Sequence, residues 1–243
     1  MHVLRINNID HDPVFEKVYV LLRQKEKRTY SDFQVSVLPE IEPGHVHFKE
    51  WKIRKKSCDR LINYLKKKRK PLKILEIGCG NGWLSAKLAE IQQTEIIGLD
   101  PNKSEIHQAI AVFNKSNLKF IHDSFPTESL TGLKFDVILF SASVQYFASF
   151  AGVIIEALNH LTDRGEIHIT DTHFYEPEEL AEATNRSKMY FEGLGLAEMA
   201  HHYHHHAKSD FVVFSHRILA NPKQPFNQII RKINFYWIVI KND

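Results

Sequence analysis

Cysteine is scarce in this chain: Cys58 and Cys79 are the only two in 243 residues. Two are too few for a disulfide framework, and one lies inside a glycine-rich stretch, so a reducing, cytoplasmic compartment is the expectation. Long apolar runs are missing as well. The longest candidates, such as residues 235–240, are strand-sized and far short of the ~18 residues of a membrane span, so no membrane partner is expected. Residues 1–8, Met-His-Val-Leu-Arg-Ile-Asn-Asn, lack the apolar core of a signal peptide. No internal repeat is evident, and the one compositional oddity is His201-His-Tyr-His-His-His206. Glycine is sparse, ten in all, yet three of the ten stand at 78, 80 and 82. What remains is ordinary for a globular protein: 43% hydrophobic and 25% charged residues, in a length that suits one α/β domain with an appended segment.

The net charge of +3 hides an asymmetry, because residues 1–70 hold 17 Lys/Arg against 9 Asp/Glu. Such a basic third suits an anionic partner such as RNA, or simply a solvated helix face. Residues 13–28 and 49–70 read as helices. In the second, Trp51, Arg54, Cys58, Leu61, Ile62 and Leu65 recur at helical steps, and Pro71 stops it. Residues 29–48, with Pro39 and Pro43, form a connection of the length usually reserved for functional or mobile loops. From residue 72 the chain alternates. Strands are expected at 72–77, 95–99, 118–121, 136–140, 166–170, 210–215 and 234–240. Helices are expected near 83–92, 103–114, 148–161, 178–194 and, briefly, 226–231, with an uncertain connection at 124–133. The alternation implies βαβ units in a mostly parallel sheet.

The most informative segment is residues 72–82, Leu-Lys-Ile-Leu-Glu-Ile-Gly-Cys-Gly-Asn-Gly. An apolar strand runs into glycines at every second position, and helix-forming residues follow from Trp83. This makes a turn where backbone can touch a ligand without intervening side chains. The dinucleotide fingerprint G-x-G-x-x-G fails, since Trp83 takes the last glycine position. Glu76 adds a carboxylate where a pyrophosphate would be repelled and an ammonium or sulfonium favoured.

Leu75-Glu-Ile-Gly-Cys-Gly-Asn-Gly82 resembles the first signature of the class I S-adenosylmethionine-dependent methyltransferases. The resemblance extends over 71–243 and implies a Rossmann-like α/β fold: seven strands, the last antiparallel, with helices on both faces. Residues 1–70 would form a basic helical N-terminal cap, and an insertion at about 174–208 a substrate lid. The implied cofactor is S-adenosyl-L-methionine, held by Glu76, Gly78, Cys79, Gly80 and Gly82, by Asp100 and Pro101 after the second strand, by Asp123 and Ser124 after the third, and by Ser141 and Ala142 after the fourth. Ligands of open α/β sheets sit at these carboxyl ends. Asp100 would accept the ribose hydroxyls, although it or Asn102 could cap the next helix, and Asp123 could equally be a turn residue.

The resemblance leaves the acceptor open. The stretch Ser141-Ala-Ser-Val-Gln-Tyr146 lacks the Pro-Pro-aromatic motif of amino-DNA methyltransferases. Neither cysteine suits a C5-cytosine enzyme, and no paired-glutamate hairpin of protein arginine methyltransferases follows Phe140. A small-molecule acceptor is the leading expectation, with an RNA methyltransferase or a non-catalytic cofactor-binding module as alternatives. His173 and Tyr146 are the candidate catalytic residues, and Tyr30, Trp51, Arg54, Tyr146 and Tyr190 the candidate pocket walls. Asp171 and His173 could share a metal, but no third ligand is evident and none is expected.

Overall fold

A computed structural model describes residues 13–224, 227 and 233–242. The chain opens with three helices, α1 (Pro13–Lys25), α2 (Asp32–Val37) and α3 (Phe48–Lys66). Strand β1 (Leu72–Ile77), helix α4 (Trp83–Leu88), strand β2 (Thr94–Asp100), helix α5 (Lys103–Val112) and strand β3 (Leu118–His122) follow. Then come β4 (Phe135–Ser141), α6 (Phe150–Leu158), β5 (Leu161–Thr172) and the two-residue strand β6 (Phe174–Tyr175). The remainder is α7 (Leu180–Gly193), β7 (His206–Ala207), α8 (Lys208–Val212), β8 (His216–Ala220) and β9 (Tyr236–Lys241).

Seven strands form one sheet in the order β3-β2-β1-β4-β5-β9-β8. The pairs among β1 to β5 are parallel, and β9 runs antiparallel to both β5 and β8. The sheet is apolar on both faces, as a parallel sheet between helices must be. One face packs Ile74, Ile96, Val137 and Leu139 against Leu61, Leu65 and Leu88 of α3 and α4. The other packs Leu75, Ile138, Phe140 and Ile167 against Val153, Ile154 and Phe211 of α6 and α8. The strand order reverses between β1 and β4, and the site lies beyond their carboxyl ends.

Several boundaries differ from the sequence reading, each for a local reason. Helix α3 ends at Lys66 rather than Lys70; Arg69 has a φ of +50°, and the side chains of Lys68 and Lys70 turn to Glu166 (2.6 Å) and Asp136 (2.7 Å). Lys70 also precedes proline, which disfavours helical backbone. The 29–48 connection contains α2, started by a reciprocal capping box between Ser31 and Gln34. The sixth strand of the sheet lies at 216–220 and not at 210–215. There, Asp210 accepts from the Ala207 amide and starts α8, which buries Phe211. The segment 124–133 holds only a 3₁₀ turn over Glu128–Leu130. The expected short helix at 226–231 falls largely outside the described residues. Among the described residues, no helix is long and apolar enough to cross a membrane.

Candidate active site

The glycine turn is built by backbone that only glycine tolerates well. Gly78 and Gly82 both have φ of +75°; a Cβ on Gly78 would press on Ser143 and one on Gly82 on the Phe120 ring at 2.5 Å. Ser143 holds its place by donating to the Ile77 carbonyl (2.6 Å), which ties the end of β4 to the end of β1. Asp100 accepts from the Gly80 amide (2.8 Å) with one oxygen and from the Asn102 amide (2.8 Å) with the other. Asn102 is the residue that caps α5, accepting from the Glu105 amide (3.0 Å), so Asp100 is left to face the turn.

Three carboxylates sit here with little compensation. Glu76 is buried and accepts from the Ser85 hydroxyl (2.5 Å); burial nevertheless pushes its pKa up to about 8. Asp100 is pushed up to about 7, by burial first and by the nearby Glu105 charge. Asp171, at the end of β5, is also raised by burial, with Arg54 pulling the other way. A buried acid surplus of this kind favours a ligand carrying positive charge.

Above the turn lies a cavity of about 410 Å³. Its floor is Glu76, Gly78, Cys79, Gly80, Asn81, Ser141 and Ala142. Its walls are Tyr30, Trp51, Arg54, Tyr146 and Tyr190, all five of the pocket residues expected from the sequence, with Tyr175, Tyr203 and Phe235 adding to the aromatic surface. His173 lines it as well, an exposed residue whose ring packs on Phe235 with centroids 4.7 Å apart. Partial desolvation of that ring lowers its pKa, so it is neutral near pH 7. Tyr146 is packed against Phe15, Tyr19 and Tyr203, and burial raises its pKa well above the ordinary value, so it can donate a hydrogen bond but not accept a proton.

Other expected site residues stand apart from the cavity lining. Gly82, Asp100 and Pro101 do not line it, although Asp100 holds the Gly80 amide of the turn, and the Pro101 carbonyl is bonded to His122 (2.9 Å). Asp123 is used locally: it accepts from the Ser124 amide (2.8 Å), the Ser129 hydroxyl (2.8 Å) and the Thr127 hydroxyl. Within the histidine run, His204 and His205 line the cavity, while buried His206 reaches the Val144 carbonyl (3.1 Å). Among the described residues no three His, Cys, Asp or Glu side chains converge as metal ligands.

The sequence reading expected a helical cap at 1–70 but named no residue of its first helix. Helix α1 brings Tyr19, Leu22 and Arg23 over the cavity, and Glu26 follows just beyond its end. Its Val18 and Leu22 bury against Phe191, Leu196 and Met199 of the 174–208 segment. Polar ties finish the roof: Tyr190 donates to Glu26 (2.6 Å), Lys25 to the Leu194 carbonyl (2.6 Å), and Arg23 pairs with Glu105 (3.5 Å). Gln145 was missed too. Its amide donates to the Ala142 carbonyl (2.6 Å), its side-chain oxygen accepts from the Thr172 hydroxyl (3.1 Å), and its backbone carbonyl receives the His204 amide (2.7 Å). An amphipathic 13–28 was the only available signal for the roof, and it did not say which face would meet the site.

A family model described as a methyltransferase domain matches residues 68–235, more than half of the chain. The ubiquinone biosynthesis O-methyltransferase of Rickettsia prowazekii is 28% identical over 95 residues, 39% of this chain and 37% of that protein. The malonyl-[acyl-carrier protein] O-methyltransferase of Acetivibrio thermocellus is 28% identical over 116 residues, 47% of this chain and 41% of that protein. The chain thus spans about two fifths of the length of these curated relatives. Among solved structures, the plantazolicin methyltransferase BpumL in complex with a monoazolic desmethylPZN analog and S-adenosylhomocysteine superposes with a TM-score of 0.57. It is 18% identical and covers 95% of this chain and 99% of its own, a likeness of fold.

Proposed function

The chain belongs to the methyltransferase-domain family of class I, S-adenosylmethionine-dependent enzymes, and from that premise we propose that it methylates a small-molecule acceptor held in the aromatic cavity above the glycine turn. The observation that carries this reading is the cavity itself: enclosed by α1 and the 174–208 segment, walled by tyrosines, and opening onto the turn. Residues 1–70 act as a cap, 71–243 as the catalytic domain, and 174–208 as the lid. Two free, buried cysteines suit a cytoplasmic setting.

The residues present fit the cofactor. Gly78 and Gly80 line the cavity floor with no side chain, so backbone can meet a ligand there, and the acid surplus of Glu76, Asp100 and Asp171 suits a cationic donor. S-adenosylmethionine supplies an electrophilic methyl group on sulfur. The protein's part is to align the acceptor and take its proton. Neutral His173 is the proton acceptor, since it has a lowered pKa and an edge on the cavity. Protonated Tyr146 and the Tyr19, Tyr203 cluster orient the acceptor by hydrogen bonding and ring contact.

The basic residues of the cap support a small acceptor over RNA. Lys68 and Lys70 are drawn into ion pairs at the end of the sheet remote from the cavity. Arg28 and Arg54 both pair with Glu50 at the cavity wall. Incubation with methyl-labelled S-adenosylmethionine and a cell extract, fractionated by size and class, tests the reading. Label should enter the low-molecular-weight fraction, and His173→Ala should slow that transfer by roughly 10²–10⁴-fold while S-adenosylhomocysteine still binds. Label appearing only in RNA or protein would overturn it.

A further inference from the structure

The wall between the turn and helix α3 holds two opposite charges that do not satisfy each other. Arg54 lies on α3 with its guanidinium over the Trp51 ring (5.5 Å) and its Nε donating to Glu50 (2.9 Å). Its two Nη groups form no hydrogen bond among the described residues. Asp171 lies across the cavity wall at the end of β5, and both residues line the cavity. One oxygen of Asp171 receives the Ser141 hydroxyl (3.4 Å), while Oδ1 is buried without a hydrogen-bond partner among the described residues.

Three features make this more than a chance pairing. Asp171 has a φ of +56°, a left-handed backbone that costs a non-glycine residue and is retained where a site over-determines it. Ser57, one helical turn beyond Arg54, is a further neighbour on α3 that favours the charged form of Asp171. Arg54 acts on Asp171 through space, yet among the described residues the two form no ion pair. A gap is therefore held open between a forked donor and an orphan acceptor, directly beside Ser141 and above the glycine turn.

We propose that Arg54 and Asp171 are the recognition pair for the zwitterionic α-amino acid head of the cofactor, Arg54 taking the carboxylate and Asp171 the ammonium, an inference that rests on the cofactor reading above. A planar fork matches a carboxylate with two parallel hydrogen bonds, and an ammonium supplies the donor that Oδ1 lacks. The opposite polarity of the two groups also fixes which way round the ligand lies. The sulfur end then points along the wall toward His173 and the tyrosines. Neither Arg54 nor Asp171 touches the acceptor in this arrangement; they position the methyl donor.

Titration calorimetry with two probes separates the possibilities. S-adenosylhomocysteine carries the amino acid head, and 5′-methylthioadenosine keeps the nucleoside and thioether without it. Arg54→Met and Asp171→Asn should each weaken S-adenosylhomocysteine by about 10- to 100-fold and leave 5′-methylthioadenosine within about twofold of wild type. Asp171→Gly supplies a variant that folds easily, because glycine relaxes the left-handed position. It should raise the melting temperature and still lose S-adenosylhomocysteine. Unchanged S-adenosylhomocysteine affinity in the variants, or equal loss of both probes, would overturn the proposal and leave the cofactor reading standing. Failure of the wild-type protein to bind either probe would remove both.

Discussion

At the amino-terminal end of the sheet, buried Glu166 meets Lys68 (2.6 Å), Lys241 (3.0 Å) and Arg217 (3.4 Å), the Tyr64 hydroxyl (3.0 Å) and His168 (3.2 Å). At the carboxyl end, buried Glu76 and Asp100 and half-buried Asp171 have only backbone amides, serine hydroxyls and distant arginines around them. Their titration shows the consequence. Glu166 is held well below the ordinary carboxylate range by His168, Lys68 and Lys241 despite the opposing effect of burial, whereas burial raises all three carboxylates at the other end. One end has spent its charges on the fold. The other keeps an uncompensated acid surplus, the arrangement expected where a cationic ligand completes the structure.

The largest expected effect comes from reversing this comparison. Glu166→Ala leaves three cations and a buried imidazole without their carboxylate, and should cost about 3–5 kcal/mol of stability, the scale for breaking a buried pair from one side. Denaturant unfolding measures it, and S-adenosylhomocysteine affinity of the folded protein should not change. Asp100→Ala should cost less ligand-free stability, the loss being confined to the acceptor of the Gly80 and Asn102 amides, but about 1–3 kcal/mol of S-adenosylhomocysteine binding. Equal stability losses in the two variants would dissolve the distinction between the ends.

A smaller effect, on the order of 1–2 kcal/mol, is expected from pH. Glu76 and Asp100 have folded pKa values of about 8 and about 7, above their ordinary values, so the stability they contribute is present at acid pH and lost as pH rises toward 8. Glu166 has a lowered value, so its contribution is intact across this interval and is lost only as pH falls below the ordinary carboxylate range; His168 is lowered too, so its contribution is lost as pH falls below the ordinary imidazole value. The ligand-free protein should therefore melt lower at pH 8.5 than at pH 6.5, and saturating S-adenosylhomocysteine should narrow that difference. A melting temperature that climbs over the same interval without ligand would mean the carboxylates at the turn are already compensated.

Much of this contrast was legible in the sequence at one end and hidden at the other. The strand–glycine–helix segment at 72–88 carries its own meaning, because its spacing, its apolar run and Glu76 are local. The central strands β1 and β4 were legible for the same reason: they are buried almost throughout and read as continuous apolar runs. β8 was not, since it is an edge strand with Arg217, Ile218 and Leu219 exposed, while the more apolar Phe211-Val-Val-Phe214 beside it ends helix α8 and turns. Five aromatic and arginine wall positions could be named because they follow strand ends or lie on the cap. The roof from α1, Asp171's left-handed backbone and the ring of cations on Glu166 all arise from contacts tens to hundreds of residues apart in the chain, for which no local pattern exists.

The roof supplies the finest test of the comparison. If the carboxyl end is built to receive a ligand, it must open, and its closure should rest on weak, exposed ties instead of buried charge. Tyr190 is such a tie: it is 49% exposed and donates to Glu26 from the opposite side of the cavity mouth. Removing that hydroxyl in Tyr190→Phe should cost no more than about 0.5–1.5 kcal/mol, the net worth of one hydrogen bond. The loss should be local, because Val18, Leu22, Phe191, Leu196 and Met199 still bury together beneath it. Amide exchange should accordingly quicken in α1 and α7 and stay unchanged in β1, β4 and β5. Faster exchange across the whole sheet would instead make the roof part of the global fold and not a separately opening element.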